Sequence, residues 1–241
     1  MDAWQLLSQQ AAEWGLTVDA PTLDGFRRLY DLLLEGNKRA NLTRITDERE
    51  AVVKHFLDSV AVLRGLSPEE RDRPLRFIDV GTGPGFPGLP LLVMQRHWQG
   101  TLLEATRKKV DFMTEAIQAL GLNGTALHGR AEEAGQDPAR RGAYDLVLAR
   151  AVAELNVLCE LCLPFARPGG TFIAMKGANV DAEVAGAKKA LHVLGGSIRE
   201  IVRFSLPEGF GERALVVIEK VGPTPKAYPR RTGQPSAKPL C

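Results

Sequence analysis

An α/β fold on a mostly parallel sheet is predicted by three observations. After Pro74, short apolar runs alternate with helical stretches. The last two of these runs are joined without a helix. A loop rich in glycine, FIDVGTGPGFPG over 77–88, follows the first run and opens the first helix of the alternation.

The strands are expected at 75–80, 100–104, 124–128, 144–149, 170–175, 198–204 and 213–220, and helices at 87–97, 107–120, 153–166 and 179–194. Such alternation means a parallel sheet wrapped by helices on both faces. The link SLPEGFGE between the sixth and seventh strands is too short for a parallel crossover. It predicts a seven-stranded sheet whose last strand runs antiparallel.

Residues 1–66 form a helical N-terminal extension. Leu6, Leu7 and Ala11 recur at helical spacing, as do Phe26, Leu29, Tyr30, Leu33 and Leu34. Asp19 or Thr22 caps the second helix, Pro21 suits its first turn, and Gly36-Asn37 ends it. A third helix starts near Asp47 and runs through Val60. The central domain spans 67–221. The tail, 222–241, is basic and rich in proline and is expected to be extended or disordered.

Composition excludes several classes. No apolar run approaches the roughly 18–20 residues of a membrane span. The N-terminus MDAWQLLSQQAAEWG lacks a basic n-region and does not read as a signal peptide. Cys159, Cys162 and Cys241 make no disulfide framework, so a cytoplasmic setting is the simplest. Cys159 and Cys162 lie in an apolar helix with no second pair or nearby histidine, so they read as packing and no metal site is proposed. The net charge of +2 hides an asymmetry. The tail carries Lys226, Arg230, Arg231 and Lys238 and no acid, a pointer to a polyanion.

The loop glycines Gly81, Gly83 and Gly85 let the backbone turn tightly and a ligand come close. The pattern is G-x-G-x-G, so its third glycine falls one residue earlier than in the dinucleotide fingerprint. Phe86 stands where that fingerprint needs glycine, a poor match for a pyrophosphate. Glu104 ends the second strand about 20 residues on and can accept from both hydroxyls of a ribose. NAD and S-adenosylmethionine both carry one, so Glu104 alone does not choose. Asp79, read as a carboxylate at the lip of the loop, suits a cationic sulfonium and repels a pyrophosphate. Further ligand contacts are expected after the third strand, at Gly129-Arg130-Ala131-Glu132-Glu133, and after the fourth, at Ala149-Arg150-Ala151-Val152.

These features resemble the Rossmann-like class I S-adenosylmethionine-dependent methyltransferases. The strings DVGTGPGFPGLPL, NKRANLTRI, KHFLDSVAVL, YDLVLARAVAEL, MKG and YPRRTGQPSAKPL together resemble one family, the ribosomal RNA small subunit methyltransferase G family. The resemblance spans nearly the whole chain. It implies methyl transfer from S-adenosylmethionine to N7 of one guanine, guanine 527 in the 530 loop of 16S rRNA. By position it places cofactor contacts at Gly81, Phe86, Ala131, Glu132 and Arg150, with the segment Glu104, Ala105 and Thr106 at the ribose. Its partner is 16S rRNA in the small ribosomal subunit or an assembly intermediate, and a monomer is the simplest assembly.

Guanine N7 has a lone pair and no proton to lose, so no general base is required. The chain accordingly has no N/D-P-P-Y/F motif after the fourth strand and no cysteine nucleophile there. Arg150 and Lys176 are the cations placed at strand ends to meet an acceptor base or phosphate. Lys38, Arg39, Arg44 and His55 near the second and third helices, with Arg230 and Arg231 in the tail, are candidates for RNA contact. The alternatives are a methyltransferase for another RNA or a small molecule, a nicotinamide oxidoreductase, and an RNA chaperone that is not an enzyme.

Overall fold

Alternate residues of the central strands face opposite ways, and each set is apolar, as a sheet covered on both faces requires. Phe77, Leu146, Leu148, Ile173, Leu215 and Val217 pack into one core. Ile78, Val147, Ala149, Phe172, Val216 and Ile218 pack into the other. The computed structural model describes residues 1–150 and 153–241. Ala151 and Val152, expected beside the ligand, lie outside the described residues.

The first layer is helical. It comprises α1 (Ala3–Glu13), α2 (Ala20–Ala40) and a continuous rod from Glu48 to Gly65. The rod opens as α3 (Glu48–Ala51), widens to a π-helix over Val52–Leu57, resumes as α4 (Asp58–Val60) and tightens to a 3-10 turn. Helix α5 (Pro68–Asp72) leads to the sheet. The chain then alternates: β1 (Arg76–Val80), α6 (Gly88–Met94), β2 (Gln99–Glu104), α7 (Arg107–Leu120), β3 (Gly124–His128), α8 (Ala131–Ala134), β4 (Tyr144–Ala149), α9 (Leu155–Cys162) and β5 (Ala166–Gly177). Helices α10 (Asp181–Gly186) and α11 (Lys188–Leu194) precede β6 (Gly196–Ser205) and β7 (Glu212–Lys220), and α12 (Gln234–Ala237) lies in the tail.

The strand order is β3-β2-β1-β4-β5-β7-β6. The last strand, β7, is antiparallel to both neighbours, as its short link to β6 requires. The order reverses between β1 and β4, so the crevice for a ligand opens at their carboxyl ends.

Three of the boundaries that differ from expectation have a local cause. Strand β5 begins at Ala166 because Tyr144 pairs with Ala166 before the register shifts to Leu146 with Thr171, an irregularity that absorbs Pro168 and Gly169. The helix expected over 179–194 is broken into α10 and α11 at Gly186, where helical propensity is poor. Helix α2 does not stop at Gly36-Asn37. It continues to Ala40, and Asn41 caps it in the left-handed conformation. Gly36 serves packing instead: a Cβ there would lie 2.7 Å from Phe112 of α7. Asp19 is the N-cap, accepting from the Thr22 amide at 2.9 Å.

The N-terminal helices share the first core with the sheet, through Trp4, Phe26 and Phe56. Trp4 and Phe26 each meet Phe56 with ring centroids 5.3 Å apart. Aromatic pairs of this kind are worth about 0.5–1.5 kcal/mol each beyond burial.

Gly36→Ala tests the packing of α2. Alanine gains up to about 1 kcal/mol of helix propensity, whereas overpacking costs about 1–3 kcal/mol. The expected outcome is a net loss of about 1 kcal/mol in urea unfolding.

Candidate active site

The glycine loop is shaped from below. All three of its glycines adopt positive φ, 69° at Gly81, 63° at Gly83 and 101° at Gly85. At Gly81 and Gly83 a Cβ would meet nothing within 4 Å, so this backbone faces open space and a ligand can approach it. At Gly85 a Cβ would strike Leu89 at 2.3 Å, so this glycine closes the turn onto α6.

Asp79 is not at the lip. It is 0% exposed. Its Oδ2 accepts from the Thr82 hydroxyl at 2.5 Å and the Gly88 amide at 2.9 Å, tying both ends of the loop together. Its Oδ1 is buried with no hydrogen-bond partner. Burial pushes the carboxyl up to about 6, although the Thr82 and Gly88 bonds and the Arg150 charge oppose the rise. It shapes the loop from below through these two bonds.

Glu104 anchors the other side. Its Oε2 accepts from the Gly83 amide at 3.0 Å and its Oε1 from the Thr106 amide at 2.8 Å. Each oxygen has a second lone pair, so two more donors can be accepted. Ala105 and Thr106 are exposed beside it. Across the crevice α8 presents Ala131 and Glu132, both half-buried. Glu132 Oε1 accepts from the Gly233 amide of the tail at 3.0 Å.

Phe86 is a core residue, 1% exposed. Its ring stacks on His55 with centroids 4.7 Å apart and meets Phe56 edge-on. The Arg150 guanidinium lies 5.6 Å from the Phe86 ring centre. The ring therefore joins the loop to the N-terminal layer, and its side chain is not an exposed wall of the crevice.

His55, expected to meet RNA, is buried in this contact. Its Nε2 lies 3.0 Å from the Thr43 hydroxyl, and Nδ1 has no partner. Burial, reinforced by the Arg150 charge, lowers its pKa to about 4.

Next to it lies a cleft of about 330 Å³ lined by Lys54, His55, Asp58, Arg150, Lys176 and Arg213, among others. Arg150 donates to the Lys54 carbonyl at 2.9 Å and pairs with Asp58 at 3.4 Å. Arg213 of β7 pairs with the other Asp58 oxygen, also at 3.4 Å. Burial raises the Asp58 carboxyl despite both arginines. The Lys176 ammonium is engaged by Glu183 at 2.5 Å and by the Ala153 carbonyl at 2.7 Å. It lines the cleft as a held cation.

Sequence reasoning missed Asp58 and Arg213. Asp58 does carry a signal: it falls on the buried stripe Ala51, His55, Asp58, Val62, where an acid needs a partner. Arg213 carries none, since only strand pairing brings β7 beside β5.

The surface cations divide. Lys38 pairs with Glu35 and Arg39 with Glu115, both in exposed bridges. Arg44 and Arg231 are exposed. Arg230, expected on the RNA side, is instead closed on Glu160, with Nη2 to Oε2 at 2.6 Å and Nε to Oε1 at 2.9 Å. The tail itself is folded onto the domain. Cys159 and Cys162 are buried in α9, and burial pushes the Cys159 thiol up to about 12.

A family profile described as "GidB: rRNA small subunit methyltransferase G" matches residues 22–215. The chain is 45% identical over 237 residues to a ribosomal RNA small subunit methyltransferase G of Pelotomaculum thermopropionicum, covering 98% of each. A protein of the same name from Symbiobacterium thermophilum is 45% identical over 243 residues, covering 98% of this chain and 97% of that one. Among solved structures, a putative class I S-adenosylmethionine-dependent methyltransferase of Listeria monocytogenes aligns with a TM-score of 0.58 at 12% identity, covering 83% of this chain and 71% of that one. A putative O-methyltransferase from Klebsiella pneumoniae aligns with a TM-score of 0.56 at 17% identity, covering 91% and 98%. These two share the fold.

His55 predicts a pH dependence of stability. The unfolded chain protonates this histidine below its ordinary value of 6.5, but the folded chain resists until about 4. Stability from this group is therefore complete above pH 6.5 and is lost as pH falls toward 4, by about 3 kcal/mol in all. Urea unfolding of the native chain and of His55→Gln at pH 7 and pH 5 checks it. The native chain is expected to lose more stability than the variant.

Proposed function

The chain belongs to the ribosomal RNA small subunit methyltransferase G family, and on that premise we propose that it methylates N7 of a guanine, guanine 527 in the 530 loop of 16S rRNA. Its cofactor is S-adenosylmethionine, which when bound supplies a methyl group activated by a sulfonium. The donor set fits that cofactor. The open backbone of Gly81 and Gly83 would hold the methionine part, Glu104 with Ala105 and Thr106 the ribose, and Ala131 with Glu132 the adenine. The buried Asp79 charge favours a cation above the loop.

The observation that carries the N7 reading is the chemistry of the neighbouring cleft. It offers cations, Arg150, Lys176 and Arg213, each already held by acidic or backbone oxygens. Its imidazole, His55, is a weak base at neutral pH because burial lowers it to about 4. Cys159 and Cys162 are buried and protonated, which removes them as nucleophiles. An exocyclic amine or a pyrimidine carbon would ask for a base or a thiolate. Guanine N7 presents a lone pair and asks only for orientation, which can lower a barrier by about 7–11 kcal/mol. Fixed guanidinium donors suit the guanine O6 edge or a flanking phosphate. Arg44, Arg231 and the paired Lys38 and Arg39 supply the wider cationic surface, so RNA affinity falls as salt rises. The protein works as a monomer on the small subunit or an assembly intermediate.

Incubation with labelled S-adenosylmethionine and unmodified small-subunit rRNA, naked and assembled, followed by mapping, tests this reading. Label on guanine N7 is expected, and label on an exocyclic amine, a ribose or a small acceptor would overturn it. Glu104→Ala removes a charged acceptor, each hydrogen bond to which is worth about 1.5–3 kcal/mol. Cofactor affinity is expected to fall about 100-fold with RNA affinity retained. Titration calorimetry and filter binding measure the two.

A further inference from the structure

The C-terminal tail lies beyond the part of the chain that the family profile matches, residues 22–215. It is nonetheless stitched to one particular segment. Arg141 donates to the carbonyls of Thr224, Pro225 and Tyr228 at 2.8, 3.0 and 2.7 Å, and to Gly135 at 3.0 Å. Gln136 donates to Lys226 and Pro229 carbonyls at 3.2 and 2.8 Å. Pro229 seats against Gly135, where a Cβ would lie 2.9 Å from its ring. Gly135 and Gln136 follow directly on α8, the helix that carries Ala131 and Glu132, and Arg141 lies in the same link to β4.

Two charged contacts finish the attachment. Glu160 of α9 is 1% exposed and takes the Arg230 guanidinium in a bidentate pair. The same carboxylate accepts the Arg230 backbone amide at 2.8 Å. Three residues on, the Gly233 amide donates to Glu132 Oε1. An apolar pair of similar size would hold the tail with comparable strength. A bidentate pair adds fixed geometry, and so fixes where Gly233 falls.

The space between tail and α8 does not suit a polyanion. It is a cleft of about 700 Å³ whose lining includes Glu132 and Glu133 as well as Arg230 and Arg231, and Arg230 is already neutralised.

We propose that the tail is a strap that positions Glu132 for the adenine end of the cofactor, with Glu160–Arg230 as its latch. This rests on the cofactor site proposed above. Glu160 and Arg230 are positioning residues and act through Gly233. Without the latch the Glu132 carboxylate loses the donor that orients it, and its bond to an adenine amine must be organised during binding.

The test uses the full chain and three changes: E160M/R230M, which removes both charges together, Arg230→Lys, which keeps the charge but not the fork, and Glu132→Ala. S-adenosylhomocysteine binding is measured by calorimetry, small-subunit rRNA binding by filter retention, and methylation at saturating cofactor. E160M/R230M is expected to weaken S-adenosylhomocysteine about tenfold. Arg230→Lys gives a smaller loss, and turnover at saturation and rRNA affinity stay within about twofold. Adding E160M/R230M to Glu132→Ala is expected to cost nothing further, because both act through one carboxylate. Unchanged S-adenosylhomocysteine affinity in E160M/R230M and in Arg230→Lys would overturn the strap. So would additive losses, or a loss confined to rRNA, which would make the tail an RNA arm. If E160M/R230M does not fold, Arg230→Lys decides alone. If the native chain binds no S-adenosylhomocysteine, the cofactor reading fails and the strap with it.

Discussion

The buried carboxylate of Asp79 is the constraint on which the site depends. A carboxylate sealed from water must be compensated, and here the compensation shapes the backbone. One oxygen holds Thr82 at the start of the loop and the Gly88 amide at the start of α6. Between these points the chain has to reverse, and positive φ at Gly81, Gly83 and Gly85 is how it does so. The exposed surface of the loop then consists of backbone alone. Gly88 belongs to the same device: a Cβ there would fall 2.1 Å from Leu102 and 3.1 Å from Asp79. The buried charge and the shape of the proposed cofactor seat thus have one origin.

A second chain of contacts runs from the loop into the N-terminal layer. Phe86 stacks on His55 and meets Phe56, which packs on Trp4 and Phe26. Arg150 lies over Phe86 and pairs with Asp58, which Arg213 also holds. His55 sits in the π-helical stretch, where one wider turn alters the direction of side chains relative to an α-helix. The helical layer is therefore part of the site's wall, and the cleft it shares with β4, β5 and β7 is cationic and already ordered. Preorganised donors cost little to arrange when an acceptor arrives.

Much of the fold was legible. Alternation of apolar runs with helical stretches gave the sheet, and the short SLPEGFGE link gave the antiparallel last strand, because chain length alone forbids a crossover. At the candidate site, G-x-G-x-G was readable because positive φ restricts residue type, and the acid 21 positions after Gly83 does lie against that loop. Other assignments failed for a shared reason. Asp79 looked like a lip residue, and His55 and Arg230 like RNA contacts. Asp79 is buried beneath Thr82 and Gly88, His55 is buried against Phe86 of another layer, and Arg230 is engaged by Glu160. Gly36 looked like a helix end and is a packing contact with Phe112 of α7.

The sequence by itself determined the layers, the topology at the seventh strand, the loop and the family, since these depend on local period, chain length and residue type. Tertiary structure alone decided which charges are free. It spent Arg230 on Glu160, Lys176 on Glu183 and Arg150 on Asp58, left Arg44 and Arg231 exposed, and folded the tail against α8. Ion pairs form between groups brought within a few ångströms by the fold, and no local pattern of one segment records its partner in another.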